Sequence, residues 1–129
     1  MSILTLLLAT TVNYTVQTAT HPDDFKNFET DRIRSRFVME KVMEADRINV
    51  TYTMYDRLIY GGAMPVEKEL TLETFEELKS ENFLDRRELG VINVGGPGVV
   101  TVSELELKVG VGERKIPLSN SNSKLKLNK

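Results

Sequence analysis

The sequence predicts an all-β fold, a sandwich or barrel with one to three short helices. Three observations lead there. Apolar and polar residues alternate in several short runs, those runs are rich in β-branched and aromatic residues, and turn signals divide them at short intervals. With 129 residues the chain has the size of one ordinary domain, enough to bury a core without disulfides or a structural metal.

The chain opens on "ILTLLLATTV", an apolar run that invites comparison with a secretory signal. No lysine or arginine precedes it, and a cut after Ala19 would put Gln17 where a small residue is wanted, so residues 1–12 are read as an N-terminal extension. The run is also much shorter than the roughly 20 apolar residues that span a bilayer. "NYTVQTAT" from Asn13 alternates and predicts a strand. In "HPDDFKNF", Pro22 followed by two acids suits the first turn of a short helix, because the missing proline N–H is harmless there and carboxylates face the positive end of the dipole. "ETDRIRSRF" predicts a second short helix with Thr30 as N-cap.

From Phe37, "FVMEKVM" reads as a strand, "EADR" as a turn, and "INVTYTMYDRLIYGGAMP" as one long strand interrupted at Gly61 and Gly62 by a bulge or bend. "TLETFEELKSE" places Glu77 three residues after Thr74, a capping-box spacing that predicts a short helix. "ELGVINV" and "GVVTV" flank "GGPG", which predicts a hairpin turning on flexible glycine φ angles. "ELELKV" and "KLKL" are further strands, and "SNSNS" is a polar linker, so residues 119–129 are read as a polar tail and 13–118 as the folded domain.

The chemistry is limited by what is missing. There is no cysteine and one histidine, His21, so thiolate sites and sites with several imidazole ligands cannot be built within one copy. No metal is expected in this chain. His21, before Pro22, reads as a structural or solvated residue at a helix entry. A formal charge of -2 gives no electrostatic pull toward nucleic acid or an anionic membrane, and neither partner is expected. "GGPG" lacks the Lys and Ser/Thr of a phosphate-binding loop and precedes a strand, so it reads as a turn.

Charged residues at the strand ends carry more information. Arg86, Arg87 and Glu88 enter the predicted hairpin, with alternation sending Arg86 and Glu88 to one face and Arg87 to the other. Asp56 and Arg57 repeat the theme inside the long strand. An inward arginine needs a carboxylate, because an unpaired buried charge is very costly. Two readings stay open: an ion-pair network supporting the sheet or a subunit interface, or a guanidinium that binds a substrate carboxylate.

Three segments in order, "HPDDFKNFETDRIRSRFVMEKV", "YDRLIYGGAMP" and "FLDRRELGVINVGGPGVVTV", resemble the N-terminal half of the 5-keto-4-deoxyuronate isomerases, also called 4-deoxy-L-threo-5-hexosulose-uronate ketol-isomerases. The resemblance implies a cupin-like barrel and a cytoplasmic, homo-oligomeric enzyme of bacterial pectin breakdown, with a uronate-type sugar acid as ligand. It further implies interconversion of 5-keto-4-deoxyuronate and 3-deoxy-D-glycero-2,5-hexodiulosonate. Zinc belongs to the full-length family, whose ligands lie in the C-terminal half, so no ligand is carried over to a residue of this sequence. The alternative is a non-catalytic, cupin-like scaffold or oligomerisation domain.

Overall fold

The computed structural model describes residues 12–102, 105–115 and 125–128. Within them the chain is mostly strand with two short helices, as the alternation predicts. Strand β1 (Val12–Gln17) runs parallel to β2 (Ile48–Thr53), which pairs antiparallel with β3 (Leu58–Ala63) in a three-stranded sheet. A four-stranded sheet has the order β4 (Leu70–Leu72), β9 (Leu125–Asn128), β6 (Gly98–Val102), β7 (Leu105–Val109). Strands β5 (Val91–Ile92) and β8 (Arg114–Lys115) form a small separate pair. The segment read as a polar tail thus contains β9, hydrogen-bonded between β4 and β6.

The parallel β1–β2 pair needs a crossover, and residues between Gln17 and Ile48 supply it with helices α1 (Pro22–Phe25) and α2 (Thr30–Phe37). Pro22 sits at the start of α1, and His21 caps it by accepting the Asp23 N–H at Nδ1, 3.1 Å away. In α2 the capping position belongs to Glu29, and Thr30 is the first helical residue. No side chain closes that end.

The core gathers the apolar face of the three-stranded sheet (Ile48, Val50, Tyr52) with Leu70 and Leu72 of β4 and Val100 and Val102 of β6. Phe75, Leu78, Phe83 and Leu84 from the intervening loop join the same cluster. Leu70 and Leu84 are fully buried, each worth about 1.5–3 kcal/mol relative to exposure.

Several expectations are corrected. Phe37–Met43 forms no strand: Phe37 ends α2, and the following residues cross a sheet face without pairing along an edge. The long strand is a hairpin, β2 and β3, with Met54, Tyr55, Asp56 and Arg57 as its turn; Arg57 takes the left-handed φ of 53° that the reversal demands. Gly61 and Gly62 make no bulge. They pair in register with Val50 and Asn49, and glycine is required because a Cβ at Gly61 would collide with the Asn49 carbonyl oxygen. A Cβ at Gly62 would lie 2.7 Å from the Val42 carbonyl oxygen and 2.8 Å from Met43 Sδ, so its absence lets the crossing segment approach.

The capping-box helix is one 3-10 turn, Glu76–Leu78, with Phe75 at its entry. Thr74 Oγ1 donates to the Ser80 carbonyl, 3.1 Å away, which leaves the loop closed on itself. The hairpin across "GGPG" does not exist either. β5 pairs with β8, and β6 pairs with β7 and β9, so the glycines carry the chain from one sheet to another. Neither Gly95 nor Gly96 takes a left-handed φ. Asn93 holds this passage instead. Its Nδ2 donates to the carbonyls of Gly96 (2.9 Å) and Val109 (3.0 Å), and its Oδ1 accepts the Gly95 N–H (2.9 Å). The "SNSNS" linker lies outside the described residues.

Candidate functional site

The three-stranded sheet has two unlike faces because its strands alternate. One carries Val12, Val50 and Tyr52 into the core. The other carries Asn13, Thr15 and Gln17 from β1, in register with Asn49, Thr51 and Thr53 from β2. This second face is not an open solvent face: Gln17, Asn49, Thr51 and Thr53 are all buried, Thr51 to 2% exposure. Uncharged amides and hydroxyls therefore occupy positions where a sheet covered by a helix ordinarily places apolar side chains.

What covers them is α2 and the segment that follows it. Asp31, Arg34, Ser35 and Val38 stand at i, i+3, i+4 and i+7, the spacing of one helix face. That stripe is polar for its first two turns, so apolar attraction cannot draw it onto the sheet. A cleft of about 540 Å³ remains between helix and sheet, lined by Asn13, Thr15, Gln17, Asn49 and Thr51 on the floor. Asp31, Arg34, Ser35, Glu40 and Lys41 line its walls, with Val38 and Met39 as apolar contributions.

Hydrogen bonds fix the floor. Asn13 Nδ2 donates to Asn49 Oδ1 (3.0 Å), and Asn49 Nδ2 reaches Glu44 Oε2 (3.4 Å). The Tyr60 hydroxyl donates to Gln17 Oε1 (3.3 Å), while Gln17 Nε2 points at the Val38 carbonyl (3.5 Å). At the wall, Arg34 Nε and Nη2 both lie 2.9 Å from Glu40 Oε1. Lys41 and Arg47 each lie 3.7 Å from Glu44 Oε1. The far end of α2 is fastened by ring contacts, Phe37 to Phe25 at 5.8 Å and to Tyr55 at 5.7 Å, and by Arg36 donating to Thr18 Oγ1 at 3.0 Å.

The residues singled out from the sequence lie elsewhere. Asp56 and Arg57 are exposed in the β2–β3 turn. Arg86 is exposed and donates from Nη2 to the Lys79 carbonyl at 3.0 Å, and Glu88 is exposed. Arg86, Arg87 and Glu88 lie in turn and coil before β5; Arg87 is half-buried, and its Nη1 is buried without a hydrogen-bond partner among the described residues. No ion pair among the described residues joins any of these five to another. The cleft residues were missed, although their signal was visible as two polar sets at period two, Asn13/Thr15/Gln17 and Asn49/Thr51/Thr53.

The donor set does not fit a zinc ion. Among the described residues no three of His, Asp and Glu converge, and His21 is an exposed helix cap whose Nδ1 is engaged by a backbone N–H. One further electrostatic feature is structural. The Asp46 carboxylate accepts the N–H groups of Val66, Glu67 and Lys68 at 2.8, 2.9 and 3.2 Å, and those bonds, Val66 first, hold its pKa below the ordinary 3.8.

Fold and site define the class: an all-β chain whose polar cleft is formed between a sheet face and a two-turn helix. No family model matches it. Curated relatives do. A 4-deoxy-L-threo-5-hexosulose-uronate ketol-isomerase of Bacteroides fragilis is 44% identical over 119 residues, 86% of this chain and 42% of that protein. One of Formosa agariphila, of the same name, is 45% identical over 118 residues, 85% of this chain and 42% of that protein. That of Lachnospira eligens is 42% identical over 108 residues, 78% and 39%. The chain is a relative of the 4-deoxy-L-threo-5-hexosulose-uronate ketol-isomerases, as the three quoted segments imply, and it spans about two fifths of the length of the curated relatives it matches.

Proposed function

We infer that this chain serves a 4-deoxy-L-threo-5-hexosulose-uronate ketol-isomerase as its N-terminal, cupin-like part, acting on a uronate-type sugar acid in the cytoplasm. The observation that carries this reading is the 44% identity maintained over 119 residues. Aldose–ketose isomerisation needs a base to move a proton between neighbouring carbons and an electrophile, commonly a metal, to stabilise the enediolate. Carboxylates are available here as bases, and in this reading a zinc electrophile is held by residues outside this chain. The chain's part is then scaffold and assembly: it supplies a packed sheet and apolar surface for a homo-oligomer. Half-exposed Phe25, Phe37, Tyr55 and Leu58 support that role, since adjoining exposed apolar residues commonly mark contact surfaces.

The test is direct. The purified chain, supplied with zinc and 5-keto-4-deoxyuronate, is expected to give no isomerisation above background. Robust turnover would overturn the division of labour. For the assembly role, the solution mass is expected to exceed that of one chain, and a strictly monomeric species counts against it.

A further inference from the structure

We propose that the cleft between α2 and the β1–β2 sheet face is a binding site for an uncharged, polyhydroxylated small molecule such as a neutral monosaccharide. The inference rests on the cleft alone and stands apart from the isomerase reading. Its volume, about 540 Å³, falls within the range of small-ligand sites, about 300–1,000 Å³.

The chemistry of the walls selects the ligand. Amides and threonine hydroxyls each offer donors and acceptors, as does every hydroxyl of a sugar, so Asn13, Thr15 and Thr51 can match a polyol without leaving a group unpaired. Thr15 and Thr51 make no side-chain hydrogen bond among the described residues, so their capacity is unspent. Val38 and Met39 offer a small apolar contact for a C–H face. An apolar ligand is disfavoured, because it would cover the unspent Thr51 hydroxyl with hydrocarbon.

Charge gives an anion no advantage, since the two cations of the lining are matched by two carboxylates. The two cations of the lining are engaged, Arg34 with Glu40 at 2.9 Å and Lys41 with Glu44 at 3.7 Å, and Asp31 adds a further negative charge. A carboxylate entering the cleft would meet Arg34 only alongside the Glu40 and Asp31 carboxylates, whose repulsion offsets the attraction. A neutral sugar leaves both ion pairs intact.

The test uses the 129-residue chain, isotopically labelled, titrated separately with D-galactose and D-galacturonate, which differ at C6 only. Expected is saturable binding of galactose, with a dissociation constant of about 1–10 mM, shifting the amides of residues 13–17, 34–35 and 49–51. The Asn13→Ala/Thr15→Val variant, altered at two exposed positions, should weaken it about tenfold, with Ser35→Ala on the opposite wall as a second, independent variant. Shifts confined to Phe25, Phe37 and Tyr55, or no saturable shift with either sugar, overturn the site. Tighter binding of galacturonate than of galactose overturns the assignment of an uncharged ligand.

Discussion

Replacing Gly61 by alanine tests how closely β2 and β3 are packed. An added Cβ would overlap the Asn49 carbonyl oxygen and lie 2.8 Å from Val50 Cα and 2.9 Å from the Asn49 carbonyl carbon. All three atoms are backbone of the paired strand, so no side chain can swing away and the strands themselves must separate. Overpacking of this kind costs about 1–3 kcal/mol. Alanine also restricts the unfolded chain, which offsets about 0.4–1 kcal/mol of the loss. Taking the middle of each range, the net destabilisation is about 1.3 kcal/mol, or a fall in Tm of roughly 5 °C for a chain of this size. Gly96 provides the control. It has no neighbour within 4 Å of an added Cβ and no left-handed φ, so Gly96→Ala should leave Tm unchanged or raise it. Thermal unfolding followed by circular dichroism gives both values. A Gly61→Ala protein that melts with the parent, or a Gly96→Ala protein that falls equally far, would refute the close-approach reading.

Other substitutions probe the polar ties. Asn93→Ala removes three side-chain hydrogen bonds and should cost about 1–3 kcal/mol in urea unfolding, while Asn93→Asp should cost more near neutral pH, because it turns a carboxylate oxygen toward two carbonyls. Equal stability of the Asp and Ala variants would contradict that geometry. Asp46 has a depressed pKa, so its contribution is present above the ordinary 3.8 and is lost as pH falls through the lower folded value. Asp46→Asn should be less stable than the parent near neutral pH, with the gap narrowing as pH falls below 3.8 and through the lower folded value; a gap independent of pH removes the carboxylate from the account. Arg87→Met keeps the length of the stem and removes the unpartnered buried nitrogen, so stability should rise by about 1 kcal/mol. A clear loss of stability on that change would mean that Arg87 Nη1 does have a partner.

Strand content was legible from the sequence because a period of two is a local property, and β1, β2, β6 and β7 fall where the alternation places them. Pairing was less so. The long apparent strand through Tyr55 hid a hairpin, since none of the four turn residues is glycine or proline and Arg57 takes a left-handed φ that its type rarely adopts. "GGPG" erred the other way, offering a turn signal between strands whose partners are distant in sequence, at β8 and β9. Local signals give the direction of the chain, and long-range pairing decides which reversal becomes a ladder.

The site was harder to read for a related reason. A polar set at period two is compatible with either a solvent face or the floor of a covered cleft, and the strand sequence alone does not distinguish them. The difference lies in α2, where Asp31, Arg34 and Ser35 form a polar stripe facing the floor while Phe37 is held by Phe25 and Tyr55. A helix fastened at its end but polar along its middle cannot collapse onto a polar sheet, and the gap is the physical result. Arg86 and Glu88 are conspicuous because charge is a property of the single residue. Asn13, Thr15, Asn49 and Thr51 take their meaning from being covered, which only the crossover between two parallel strands determines.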